Sequence, residues 1–156
     1  ALERPIAVNV GNPHVIFFVP DIDAVPLDVL GPVIEHDALF PARINVNVAQ
    51  VVARAHIRLR VWERGVGLTR ACGTGACATA VAAMRRGLTE RTVNVDLPGG
   101  RLVIEWRADG QIAMTGPAAP HAPALNATWR PSIVVRSLSS AKTRHSSSVP
   151  GKLAGR

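Results

Sequence analysis

The sequence predicts an α+β domain in which a curved, mostly antiparallel sheet wraps around one central apolar helix. Three observations carry that expectation. Short apolar or alternating runs, the pattern of strands, occur both before and after a single helical stretch. That stretch, from about Thr74 to Arg86, holds Ala76, Cys77, Ala78, Ala80, Val81, Ala82 and Ala83, so it has almost no polar face and must be surrounded by protein. The later runs are joined by Pro98-Gly99-Gly100 and Asp109-Gly110, turns tight enough for antiparallel neighbours.

In order along the chain, residues 6–10 (IAVNV) read as a strand, and the Gly11-Asn12-Pro13 turn leads into a second, 14–19 (HVIFFV). Residues 25–36 suggest a short helix that Gly31 and Pro32 weaken. Strands are expected at 43–48 and 55–62. In the second of these, Ile57, Leu59 and Val61 share one face, and Arg58 and Arg60 share the other. A turn-rich loop, 63–71, precedes the apolar helix, whose small side chains let a sheet approach closely. Arg85 and Arg86 suit the helix C-terminus, with Gly87 just beyond. Strands are then expected at 92–97, 101–107 and 111–115. Residues 1–117 therefore form one domain, and 118–156 read as a flexible tail, first Ala/Pro-rich and then Ser/Lys/Arg-rich.

Composition narrows the function. The net charge of +7 suggests nucleic acid until it is divided. Five of the 18 basic residues lie at 136–156, where there is no acid, so the rest of the chain is only +2. With no tyrosine and only three Trp and three Phe, aromatic platforms for bases are scarce, so no nucleic-acid partner is expected. No run approaches the roughly 20 apolar residues of a membrane span, and no signal-peptide pattern is read. Two cysteines make no disulfide framework, and a cytoplasmic location is expected. His36, His56, His121 and His145 show no metal-ligand spacing, so no metal is predicted.

The chemistry concentrates at residues 63–80. There Cys72 sits at a Gly-rich helix entry preceded by Glu63-Arg64. Free N–H groups of a helix start can hold an anion, and the helix dipole is expected to favour the Cys72 thiolate. Together they describe a reactive thiol beside a carboxylate-binding loop, a pairing suited to moving a proton on an amino or hydroxy acid. Cys77, inside the helix among alanines, reads as core packing.

The series Gly11-Asn12-Pro13-His14, Gly31-Pro32, Phe40-Pro41, Asn45-Val46-Asn47, Glu63-Arg64-Gly65, Ala71 to Ala78, Pro98-Gly99-Gly100 and Met114-Thr115-Gly116-Pro117 resembles the C-terminal half of the diaminopimelate epimerases, in their order and spacing. The resemblance implies two pseudo-symmetric halves, each a sheet curled about a helix, with the substrate between them and no cofactor. Two cysteines, one from each half, would exchange protons on opposite faces of the α-carbon. On this resemblance Cys72 is one of the pair, assisted by His14 and Glu63. Gly73 and Thr74 hold the α-carboxylate through backbone donors, and Asn12, Asn45, Glu63 and Arg64 recognise the substrate. The expected partners are diaminopimelate and a separate N-terminal half, and a homodimer is left open. Two alternatives accompany this reading. One is a catalytically incomplete domain that only binds a ligand or partner, and the other is a different amino-acid racemase of the same fold. Val48 stands where the family commonly has an aromatic residue, and 118–156 do not resemble the family's usual ending.

Overall fold

The structure is a computed structural model that describes residues 2–116 together with the strands Leu125–Trp129 and Val134–Ser137. In chain order its elements are β1 (Ile6–Asn9), β2 (Pro13–Phe18), α1 (Leu27–Glu35), β3 (Asn45–Ala53), β4 (His56–Glu63), β5 (Gly67–Thr69), α2 (Gly73–Arg85), β6 (Thr92–Leu97), β7 (Gly100–Trp106), β8 (Ile112–Gly116), β9 (Leu125–Trp129) and β10 (Val134–Ser137). Among the described residues all the strands join one curved, mostly antiparallel sheet, ordered β10-β1-β2-β3-β4-β6-β7-β8-β9, with β5 paired to β4 beside that path. Only β2 with β3 and β4 with β6 run parallel. The first of these crossovers carries α1 and the second carries α2, because parallel neighbours need a long connection.

The expected wrapping of a sheet around an apolar helix is what the chain forms. Helix α2 is buried from Gly75 to Ala83 and packs against β1, β2, β3, β4, β6, β7 and β8. Period-two alternation on the strands supplies its surroundings: Ile57, Leu59 and Val61 of β4 and Val93 and Val95 of β6 all point at it. The other face of the sheet holds a smaller core in which Leu27 of α1 meets Val46 and Val48 of β3 and Phe17 of β2. Strand β3 is therefore buried on both faces, and its Asn-Val-Asn-Val opening divides cleanly. Val46 and Val48 enter the core under α1, and Asn47 turns towards α2.

Three details differ from the sequence reading. Strand β3 runs on to Ala53, with an irregularity between Val51 and Ala53. The loop expected at 63–71 contains β5, which pairs Glu63 with Gly67 across a tight turn. As expected, Arg58 and Arg60 lie on the opposite face of β4 from Ile57, Leu59 and Val61, and there they tie down the segment before α1. Arg60 donates to the carbonyls of Ile22 (3.2 Å) and Val25 (2.9 Å), and Arg58 pairs with Asp23 at 3.0 Å. Gly31 earns its place in α1 by close approach, since a Cβ there would lie 2.5 Å from the Trp62 ring. Within the segment read as a tail, β10 pairs with β1 and β9 with β8, adding a strand at each edge of the sheet. Residues 118–124, 130–133 and 138–156 of that expectation lie outside the described residues. No helix among the described residues is long and apolar enough to cross a membrane.

Candidate active site

The N-terminus of α2 is capped by the Cys72 sulfur. Cys72 has an extended backbone (φ −148°, ψ 98°), and its Sγ accepts from the Gly75 N–H at 3.3 Å. The first turn is thereby directed at a sulfur rather than at the usual Ser, Thr, Asp or Asn oxygen. Ala76 N–H returns to the Cys72 carbonyl at 3.0 Å. The N–H groups of Gly73 and Thr74 belong to the helix start, where donors have no intrahelical partner. Gly75 leaves little room for a side chain, because a Cβ would sit 3.1 Å from Cys72 Sγ and 3.3 Å from the Asn47 amide nitrogen.

Behind the sulfur lies a chain of polar groups drawn from three elements. Thr74 Oγ1 is 3.7 Å from Cys72 Sγ and 3.3 Å from His14 Nε2, and it accepts from Asn12 Nδ2 at 3.2 Å. Asn12 Oδ1 stands 3.2 Å from the same Nε2. On the other side of the ring, His14 Nδ1 meets Asn47 Oδ1 at 3.0 Å. Asn47 Nδ2 in turn donates to the Gly75 carbonyl (3.0 Å) and to Thr79 Oγ1 (2.9 Å). His14, Asn47 and Thr79 are all completely buried. The parallel register places His14 beside Asn45 and Ile16 beside Asn47, so both strands present polar groups to the helix start.

A second group holds the β4–β5 turn. Asn45 donates to the Pro13 carbonyl (2.8 Å) and accepts from Arg64 N–H (2.9 Å), while the Arg64 guanidinium donates to the Ala42 carbonyl (2.9 Å). The Glu35 carboxylate at the end of α1, 2% exposed, accepts from Trp62 Nε1 (2.7 Å) and from Gly65 N–H (2.9 Å), with Arg43 at 3.6 Å. The Trp62 hydrogen bond first, and the Gly65 N–H and Arg43 with it, hold this carboxyl below the usual carboxylate range against its burial. Glu35 was not among the predicted site residues, since an acid at a helix end reads as solvated. Only Gly31-Pro32, which fits α1 against Trp62, hinted that the segment is packed.

The electrostatics correct one expectation. The thiol of Cys72 is pushed up, not down. Burial is the largest cause, the Glu63 charge adds to it, and the Thr74 and Gly75 hydrogen bonds offset only part of it. A helix start favours the thiolate locally, but desolvation of a residue that is only 8% exposed outweighs it. Burial likewise lowers His14 to about 4, against the raising effects of Asn47 and Glu63. Cys77, buried in the helix as expected, is pushed up to about 12.

Asn12, His14, Cys72 and Thr74 thus meet in one cluster, and Asn45 and Arg64 meet in the adjoining one. Glu63, at the end of β4, acts on both Cys72 and His14 through its charge. Gly73 opens α2 beside Met114, whose sulfur lies 3.1 Å from where its Cβ would be. Asn47 and Thr79, which complete the network, were not predicted as site residues. Two surface clefts, one lined by Val19, Val25 and Leu30 and the other by Arg58, Arg60 and Asp96, contain none of the predicted residues. Among the described residues no cluster of three or more His, Cys, Asp and Glu is arranged to hold a metal ion.

Over about three quarters of its length the chain is similar to known proteins. The family model for diaminopimelate epimerase matches residues 6–120. The diaminopimelate epimerase of Erythrobacter litoralis is 72% identical over 118 residues, covering 76% of this chain and 44% of that enzyme. That of Rhizorhabdus wittichii is 71% identical over 117 residues, covering 75% and 43%. The chain thus spans less than half the length of the relatives it matches. Among solved structures, a phenazine biosynthesis protein of the PhzF family from Enterococcus faecalis superposes with a TM-score of 0.57 at 15% identity, over 75% of this chain and 48% of that one. One from Bacillus anthracis gives 0.51 at 22% identity, over 74% and 39%. At such identities these two establish a shared fold alone. With three quarters of its length matched to the family, the chain belongs to the diaminopimelate epimerases.

Proposed function

We propose that this chain is the C-terminal half of a cofactor-independent epimerase that interconverts LL- and meso-diaminopimelate, with Cys72 as one of two acid–base thiols. The observation that carries this reading is the Cys72–Thr74–His14–Asn12 cluster at the start of a buried helix, in a chain of this family. The raised thiol suits a resting proton donor. When a thiolate on the far side of the substrate removes the α-proton, Cys72 delivers its own to the opposite face. Gly73 and Thr74 offer backbone N–H groups to the α-carboxylate, where charge grows as the carbanion forms. Glu63, Arg64, Asn12 and Asn45 form the side that receives the distal amino-acid end. Asn45 serves it indirectly, because both ends of its amide are spent on Pro13 and Arg64.

The pushed-up thiol and the single cysteine at the cluster also support a narrower reading of the chain by itself. Inverting a stereocentre by two bases needs a second proton carrier on the other face, so the chain alone is catalytically incomplete. The test is exchange of the α-proton of LL-diaminopimelate in D2O, followed by NMR together with the stereoisomer ratio. The chain alone gives no exchange. Adding the N-terminal half of a close relative restores exchange and meso product, and Cys72→Ala abolishes both. Exchange by the chain alone, or exchange unaffected by Cys72→Ala, overturns the proposal.

A further inference from the structure

The buried polar chain behind Cys72 fixes more than the position of its members, because hydrogen bonding there has a direction. The Gly75 carbonyl can only accept, so the Asn47 atom 3.0 Å from it must be the NH2 group. Asn47 Oδ1 is then the atom facing His14, and an oxygen acceptor at 3.0 Å requires the proton on Nδ1. In the neutral ring Nε2 is left as a bare lone pair. That lone pair faces two groups: the Thr74 hydroxyl at 3.3 Å, which can donate to it, and Asn12 Oδ1 at 3.2 Å, which can only accept. Asn12 also donates Nδ2 to Thr74 at 3.2 Å. An acceptor aimed at a bare nitrogen gains nothing until that nitrogen takes a proton.

We propose that the Thr74 hydroxyl is a proton relay between Cys72 Sγ and His14 Nε2, with Asn47 as the positioning residue that locks the ring in the receiving tautomer. The proposal rests on the acid–base role of Cys72 given above and deepens it. In one state the Cys72 S–H donates to Thr74 Oγ1, and the Thr74 O–H donates to Nε2. In the other, the S–H bond has broken with its electron pair left on sulfur, and that proton has formed the new O–H of Thr74. The former Thr74 proton is then on Nε2, which donates to Asn12 Oδ1, while Thr74 donates to the thiolate. One proton has moved in net, sulfur is negative and the imidazole positive, and every contact in the cluster pairs a donor with an acceptor. With the proton held on Nε2, the Cys72 thiolate can take up an α-proton when epimerisation runs in the opposite direction; with no substrate proton to take, reversal returns the same proton to sulfur. The charges that bear on the pair are Glu63 and Arg64 from the end of β4; Glu63 raises His14 and Arg64 lowers it. Burial favours the uncharged state at rest.

Two measurements test this, both without substrate. Long-range 1H–15N correlation spectra of the 15N-labelled chain at pH 7 read the ring directly: His14 shows a protonated Nδ1 and a pyridine-type Nε2. A protonated Nε2 in the neutral ring overturns the relay, and this reading needs no variant to fold. Iodoacetamide alkylation of Cys72, followed by peptide mass spectrometry to separate it from Cys77, then reads the path. Thr74→Val and His14→Gln each slow alkylation at pH 7 by about tenfold, the worth of a hydrogen bond to a charged group. Thr74→Ser, which keeps the hydroxyl, stays close to the parent rate. Because both variants cut one path, the double variant loses the same factor as either single one, whereas multiplied losses mean independent contributions and overturn the relay. Failure of the epimerase reading would appear separately, as absent α-proton exchange after the two halves are combined.

Discussion

The two helices of this domain are built on opposite plans. Helix α2 is buried along most of its length, made of small residues and capped by the Cys72 sulfur. Helix α1 has no side-chain cap, carries Pro32 inside it, and leaves Val29 and Val33 60% and 66% exposed. The first brings its N-terminus to the site and admits no slack there. The second never reaches Cys72, and it acts at a distance by presenting one buried carboxylate, Glu35, to the turn that carries Arg64. A rigid wall and a tethered loop are thus assigned to different elements, and substitutions should separate them.

The largest effect belongs to the wall. Ala80 is fully buried in α2 with sheet all around it. Ala80→Leu should destabilise the fold by about 3 kcal/mol, the upper part of the overpacking range, read from urea unfolding. A loss under about 1 kcal/mol would mean that the sheet can open around α2, and the contrast between the helices would fail.

Next is the buried ring beside that wall. His14 is lowered from 6.5 to about 4, so between those pH values the unfolded chain binds a proton that the folded one refuses. Stability is full above 6.5, falls as pH drops towards 4, and levels off below. A shift of that size corresponds to about 3 kcal/mol at most, less if water enters the site. The unfolding midpoint of His14→Gln should lack most of this slope. An unchanged slope would assign it to other groups.

The tether comes third. Glu35→Ala leaves Trp62 Nε1 and the Gly65 N–H without their acceptor, at a cost of about 2 kcal/mol. Glu35→Gln keeps one acceptor oxygen and should cost about half as much. The change should be read in the indole N–H resonance of Trp62. In the combined two-half enzyme it should raise KM more than it lowers kcat if, as proposed, the loop binds the substrate's far end. An equal change in both would place Glu35 closer to the chemistry than the structure does.

What could be read beforehand follows the same division. Helix α2 and the strands around it were legible because an alanine run and period-two alternation are local patterns. That Cys72 and Thr74 lie together was legible for the same reason, since they stand two residues apart at a glycine-rich helix start. Strand β5 was not, since three residues in a glycine-rich loop become a strand only by pairing with β4. Glu35 was missed because its partners, Trp62 and Gly65, lie far along the chain. Asn47 belonged to a recognised motif, but its hydrogen bonds depend on the register that sets β3 beside β2 and under α2. The direction of the Cys72 shift was misjudged because the helix dipole can be seen in sequence and the burial of the sulfur cannot.

The smallest expected effect sharpens the comparison most. Val33 projects from α1 with two thirds of its surface already in solvent, so little apolar area is lost when it is replaced. Serine and valine have similar helix propensities, so the backbone is indifferent as well. Val33→Ser should therefore change stability by no more than about 0.5 kcal/mol. The unfolding midpoint should also be independent of protein concentration, for the parent and the variant alike. A larger loss that grows with protein concentration would mean that the outer face of α1 is covered by another copy in solution. In that case α1 would be buried on both sides like α2, and the contrast between the helices would hold only for the single chain.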